Sequence, residues 1–230
     1  YAFHMTKDFN YCNKVLPNIV IQGYEYPRKE SNGLYSTRRT SDLDLCRENF
    51  YKFLAWYISE GSVWYCDKEK KYEITITQTD NENNIKNRER ICEIVKAMGL
   101  APVKTKQGII ITNRTLGRYL KKLGTAGQKY IPLDIFEDFN KEYAKIFIEE
   151  YLKGDGHVDK NGVGFLYTGS SKLADQLNIL CFMAGWTSYK RERNADLVGK
   201  KKVICGKTVN VNLHAYVINI SFHQRNRFPH

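Results

Sequence analysis

The chain predicts an α+β fold in which one unit, helix–strand–strand–helix–strand–strand, is built twice. Three observations predict it. Apolar residues recur at helical spacing in Phe50, Phe53, Leu54, Tyr57 and Ile58, and again in Ala144, Phe147, Ile148, Tyr151 and Leu152. Both stretches close on an acid beside a glycine, Glu60-Gly61 and Asp155-Gly156, with the acids 95 positions apart. Lys129-Tyr130-Ile131-Pro132 and Asn226-Arg227-Phe228-Pro229 echo one another at an offset of 97, nearly the same period.

Residues 1–46 read as an N-terminal arm, irregular around Pro17, Gly23, Pro27 and Asn32-Gly33, with short strands such as 18–22. The first repeat, 47–139, opens with the helix that Gly61 is expected to stop. Tyr72 to Thr79 alternates, with Tyr72, Ile74 and Ile76 on one face and Glu73, Thr75, Thr77 and Thr79 on the other. A helix over 84–98 ends at Gly99, strands follow near 101–106 and 108–112, and a helix over 113–123 ends at Gly124. The second repeat, 140–230, starts with a helix over 140–153 and a strand near 163–168. Ser170 or Ser171 then caps a helix through Leu173, Leu177, Leu180 and Met183, which ends at Gly185. Strands near 186–191 and 214–222 flank a basic, glycine-containing excursion over 193–212.

At 230 residues there is room for one generous domain or two small ones, and 42% hydrophobic content with 13% aromatics excludes disorder. A formal charge of +11 favours polyanionic partners, either phosphate backbones or an anionic membrane surface. No apolar run approaches the ~20 residues that span a bilayer. The first residues, Tyr1-Ala2-Phe3-His4, carry no basic-then-apolar leader pattern. Six scattered cysteines without a C-x-x-C pair suit neither a disulfide framework nor a zinc site. Reduced thiols in an intracellular, non-secreted protein are expected.

Glu60 and Asp155 carry the chemistry. Each lies at a helix C-terminus, where the macrodipole disfavours a carboxylate, and two such groups side by side repel further. A hard divalent cation removes both penalties, and Mg²⁺ favours one or two protein carboxylates completed by phosphate oxygens and water. Ser59, Gly154 and Ala55 are small enough to let the two helices approach; Glu150, the counterpart of Ala55, departs from that symmetry. The alternative is a pair of solvated helix ends, and the duplication favours one shared site. His157 is then a neighbour of a hard-cation site and no ligand to it.

Phe53 to Gly61 and Ile148 to Gly156 resemble the paired signature helices of the LAGLIDADG homing endonucleases, in the intein-associated (dodecapeptide) branch. The similarity spans 47–229 and includes Ile74–Gln78, Met98-Gly99, Leu123-Gly124, Lys129–Pro132 and Thr168–Ala174, with Ser171-Lys172-Leu173-Ala174 inside the last. The resemblance implies two pseudosymmetric αββαββ(α) repeats packed through the paired helices, their antiparallel sheets forming a saddle over the DNA major groove. It implies a monomer that hydrolyses both strands of a specific double-stranded DNA site with Mg²⁺ or Mn²⁺. Glu60 and Asp155 match the metal-binding acids, with Gly61 and Gly154 beside them; Lys129 matches a lysine at the edge of the active site and Gln78 a polar position near the metal. Asn226 aligns with Lys129, while Arg225 or Arg227 would supply the charge in the second copy. The residues for intein splicing are not at the ends of these 230 residues, so no splicing is expected of them.

Strand faces would then read bases and flanking cations would hold phosphates. Expected DNA contacts are Glu73, Thr75, Thr77, Thr79, Lys104 and Lys106 in the first copy, and Tyr189, Lys190, Arg191 and Arg193 in the second. Lys200, Lys201 and Lys202 either reach along the backbone or form a solvated loop; Arg38 and Arg39 of the arm would extend the footprint. Two rivals share the fold, an RNA-binding maturase and a cleavage-inactive DNA-binding regulator. A basic protein that merely adheres to polyanions is a third, and would show salt dependence without site preference.

Overall fold

The computed structural model describes residues 18–193, 200–204, 207–210 and 215–222, with the backbone alone for those within 201–214. The arm contributes four short strands, β1 (Asn18–Ile21), β2 (Glu25–Lys29), β3 (Tyr35–Arg39) and β4 (Leu43–Cys46); β2 pairs with β3 and β1 with β4. The first repeat follows as α1 (Arg47–Glu60), β5 (Gly61–Cys66), β6 (Lys71–Thr77), α2 (Ile85–Ala97), β7 (Pro102–Lys104), β8 (Gly108–Thr112) and α3 (Arg114–Lys121). A short helix, α4 (Leu133–Glu137), precedes the second repeat. That repeat comprises α5 (Lys141–Asp155), β9 (Gly156–Val158), β10 (Val163–Thr168), α6 (Ser171–Met183) and β11 (Thr187–Glu192). The hairpin β12 (Lys201–Ile204) and β13 (Lys207–Asn210) follows, then β14 (Tyr216–Ser221).

The two four-stranded sheets have the same antiparallel order, β5-β6-β8-β7 and β9-β10-β14-β11. This is the duplicated αββαββ architecture that the repeat predicts. Its helices start where short polar side chains cap them: Asn113 accepts from Leu116 N at 2.9 Å, Asn140 from Tyr143 N at 2.8 Å and Ser170 from Leu173 N at 3.2 Å. α4 escapes periodicity because only Ile135 of its five residues is buried.

Gly61 stops α1 as expected and Gly156 stops α5, but neither does so in the left-handed backbone usual at such an end. Gly99, Gly124 and Gly185 adopt the left-handed backbone of a helix end, with φ of 72°, 78° and 86°. Gly61 (φ −90°, ψ 155°) and Gly156 (φ −149°, ψ 177°) are extended and pass directly into β5 and β9. They are glycines because of space: a Cβ on Gly61 would stand 2.5 Å from Tyr57 O, and one on Gly156 2.8 Å from Phe165 O. Each chain therefore turns from helix to sheet within one residue of its acid.

α1 is buried on nearly every side from Phe50 to Ile58, Lys52 excepted, so the single apolar stripe read from the sequence understates it. Such a helix is the centre of a core. It packs against α5, α2, its own sheet and β4. The arm joins that core through Ile21 and Leu45, and Thr115 of α3 donates to Ser41 O at 2.8 Å. No helix among the described residues is long and apolar enough to cross a membrane. Cys46, Cys66, Cys92 and Cys181 are free thiols.

Candidate metal and nucleic-acid site

α1 and α5 meet at the ends that carry the acids. An added Cβ on Gly154 would lie 2.4 Å from Ser59 Oγ and 3.4 Å from Glu60 Cγ, so glycine is what lets the two helix ends touch. Glu60 and Asp155 are both half-buried there. Burial pushes the Glu60 carboxyl above its ordinary range, and the neighbouring Asp155 charge pushes it further. Burial raises Asp155 as well; Lys129 pulls both back without overcoming it.

Lys129 is buried beneath this pair. Its Nζ donates to Tyr57 O and Ile58 O at 2.9 Å each and to Gly61 O at 2.7 Å, closing the last turn of α1. The ammonium neutralises the negative end of that helix. Burial lowers its pKa from 10.5 to about 8 although both acids raise it. All three ammonium protons are thereby engaged, so Lys129 acts on the site through its charge and not by handing a proton to a ligand. Gly61 O, expected beside the metal, is the acceptor of the shortest of these bonds.

The other helix end is closed more weakly. Asn87 Nδ2 of α2 donates to Lys153 O at 3.3 Å and lies 3.5 Å from Gln78 Oε1. This brings Gln78, 7% exposed and just past β6, towards the end of α5. Glu150 is the departure from symmetry made useful. Its carboxylate, 3% exposed, accepts from Trp56 Nε1 at 2.9 Å, Arg90 Nη2 at 2.7 Å and Lys153 Nζ at 2.9 Å. Those bonds hold its pKa down against burial and tie α1, α2 and α5 together. Sequence reasoning noticed Glu150 only as an irregularity and missed Arg90 and Asn87, which carry no local signal.

A divalent cation fits what is present. Two half-buried carboxylates raised by burial and mutual repulsion are an oxygen donor set in want of positive charge. Among the described residues no cluster of three or more His, Cys, Asp and Glu forms a complete cage, so a cation held here would need phosphate oxygens and water to complete its shell.

Strand register sorts the remaining residues. In the first sheet Ser62, Thr75, Ile110 and Val103 form one row across the open face, and Trp64, Glu73 and Thr112 the next, while Thr77 pairs with Gly108 nearest the acids. Ile74, Ile76, Ile109 and Ile111 fill the face against the helices. Glu73, Thr75 and Thr77 thus lie on the open side as their alternation predicts. Thr79 does not: it follows β6 and its hydroxyl accepts from Asn81 Nδ2 at 2.8 Å and Asn84 Nδ2 at 3.1 Å in the turn before α2. Lys104 pairs with Ile109 and so belongs to the helix side, where it and Lys106 border Asp80 and Arg88. One step of register sets the face of Lys104, and Lys106 lies in the turn between β7 and β8.

In the second sheet His157, Phe165, Asn219 and Tyr189 make the equivalent row, with Tyr167, Val217 and Arg191 nearer the acids. Lys190 points to the helices, bonding Asp175 of α6, and leaves the open face. Arg193 lies 5.8 Å from the Tyr167 ring centre, on that face with Arg191 and the 60% exposed Tyr189. His157, in β9, stacks on Phe165 at 4.8 Å. Lys200 is exposed, Lys201 and Lys202 begin β12, and Arg225, Arg227 and the side chains of Lys201 and Lys202 lie outside the described residues. Arg38 and Arg39 pair with Glu30 at 3.1 Å and Asp42 at 3.3 Å.

No protein-family model and no curated protein matches the chain. Solved structures do. I-DmoI in complex with DNA and Ca aligns at TM-score 0.53 and 17% identity, over 76% of this chain and 84% of that one. An I-DmoI variant in complex with its target DNA in the presence of Mg aligns at 0.51 and 18%, over 76% and 90%. A mesophilic variant of the homing endonuclease I-DmoI aligns at 0.51 and 16%, over 76% and 89%. At these identities the likeness is one of fold, the two αββαββ units and their antiparallel sheets.

Proposed function

We propose that this protein is a site-specific, double-strand DNA endonuclease that acts as a monomer inside the cell and uses Mg²⁺ or Mn²⁺. The observation that carries the reading is the convergence of Glu60 and Asp155 at one helix crossing, both raised by burial with Lys129 beneath them. The solved structures of similar fold that hold DNA with divalent metal add support. A net charge of +11 suits a phosphate backbone.

In this reading Glu60 and Asp155 would hold the metal, and the cation, when bound, supplies Lewis-acid charge and an activated water. The two acids, one from each repeat, would hold it between the two halves of the molecule. Lys129 steadies the α1 end and adds positive charge near the attacked phosphate. Gln78 stands at the Asp155 side, held towards Asn87. The open faces, with Glu73, Thr75 and Thr77 in one and Tyr189, Arg191 and Arg193 in the other, lie along the major groove. The tracts Lys129–Pro132 and Ser171–Ala174 favour the intein-type branch. Retention of both acids favours cleavage over a maturase or an inactive regulator.

Selection of cleaved duplexes from a randomised library with Mg²⁺ supplies the substrate for the test. Glu60→Gln and Asp155→Asn each lower double-strand cleavage on the order of 10²–10³-fold or more while binding persists. Undiminished cutting by both variants refutes the assignment.

A further inference from the structure

The open face of the second sheet holds one buried polar group that the proposed chemistry does not use. Asn219 lies in mid-strand on β14 and is 5% exposed. Its register neighbours are Phe165 on β10 and Tyr189 on β11, whereas Ile218 and Ile220 on either side of it enter the core. Its Nδ2 has no hydrogen-bond partner among the described residues. An unmatched buried amide donor is unfavourable, and Ile110, the equivalent residue of the first sheet, shows that an apolar side chain serves this position. Beside it His157 lies parallel to Phe165 and to Tyr167, with ring centres 4.8 Å and 5.9 Å apart, and Tyr167 OH lies 3.3 Å from His157 Nδ1. Tyr189, 60% exposed, stands at the end of the row.

We infer, resting on the DNA reading above, that Asn219 is the base-reading residue of the second sheet: its amide meets the adenine of one base pair in the major groove. A carboxamide matches adenine there by donating Nδ2–H to N7 and accepting from N6–H. The sheet then specifies that base through one amide set among rings, while its neighbours contact apolar edges such as thymine methyls. The first sheet, with Ser62 and Thr75 in the equivalent row and no buried amide, distributes its contacts over hydroxyls.

The test is a binding selection from a randomised duplex library with the whole protein, its Asn219→Asp variant and its Asn219→Leu variant. The unaltered protein selects adenine at one position in one half of the site. Asn219→Asp, which keeps the shape but loses the donor, moves that position to cytosine, whose N4–H₂ donates. Asn219→Leu loses preference there by roughly tenfold or more, keeps every other position, and unfolds at no lower temperature. Profiles that superimpose for all three proteins overturn the assignment, as does a change spread evenly over the site. Failure of the unaltered protein to enrich any duplex defeats the DNA reading itself and this inference with it.

Discussion

At equivalent places the first sheet sets Ser62, Thr75, Ile110 and Val103 in a row, and the second sets His157, Phe165, Asn219 and Tyr189. On the opposite faces the copies agree: Ile76 and Leu166 are both fully buried, as are Ile109 and Ile218. A core position tolerates little change in volume or polarity, since a cavity or an unmatched polar group costs about 1–5 kcal/mol. An exposed open-face position such as Thr77 or Tyr189 carries no such constraint. The duplicated halves therefore keep one fold and present two different surfaces.

The helix ends repeat the contrast. α1 closes on a buried ammonium with three bonds, α5 on a neutral amide with one long bond. At the crossing, Ala55 faces a symmetry mate, Glu150, that is a buried ion. The largest effect should come from forcing symmetry there: Ala55→Glu buries a carboxylate without the Arg90 and Lys153 that serve Glu150, and should cost about 3–5 kcal/mol in urea unfolding. Glu150→Ala should cost less, about 2–3 kcal/mol, because Arg90 and Lys153 are partly exposed and regain water while Trp56 Nε1 loses its acceptor. Equal losses would mean that the crossing is more symmetric than its hydrogen bonds.

Next in size is Lys129→Met, which takes a buried donor from three carbonyls, of which Tyr57 O keeps the Gly61 N–H, but relieves the burial of a charge. Unfolding should register a net loss of about 1–3 kcal/mol, and cleavage a fall on the order of 10²-fold. Asn87→Ala, at the weaker end, should stay under ~1 kcal/mol. A larger loss from Asn87→Ala than from Lys129→Met would reverse the ranking of the two ends.

The smallest effect is in pH. Folded Glu60 keeps its proton to higher pH than the unfolded chain does, so its contribution to stability falls as pH rises through that interval. Glu60→Gln should accordingly raise the melting temperature at neutral pH without metal, and the gain should vanish in acid below the ordinary carboxylate range. Lys129 works the other way: its folded pKa is about 8 against an ordinary 10.5, so stability should rise across that interval as the folded state sheds its proton first. Melting curves of the unaltered protein and Glu60→Gln from acid to pH 10 measure both, and a gain for Glu60→Gln that persisted in acid would assign its origin to packing instead.

Much of the candidate site was legible in the chain because its signals are local. Helical spacing ending at Glu60-Gly61 and Asp155-Gly156 needs only a window of some ten residues, and the alternation of Glu73, Thr75 and Thr77 needs fewer. The glycines were legible as positions and misleading as conformations, since what Gly61 and Gly156 avoid is Tyr57 and Phe165 O, contacts that no spacing announces. Alternation groups Thr79 with Glu73, Thr75 and Thr77, and a local turn takes it off that face; register sets Lys104 and Lys190 on the helix side, which charge alone does not reveal.

By itself the amino-acid order determined the duplicated unit, its helices and strands, and the pair of acids, because periodicity and repetition are properties of short segments. Tertiary structure alone decided that Lys129 lies beneath Glu60, that Glu150 binds Trp56 across 94 positions, and that Asn219 stands unmatched among rings. Those outcomes depend on which strand slides against which and on how closely two helices approach, and such distances exist only once the chain has closed on itself.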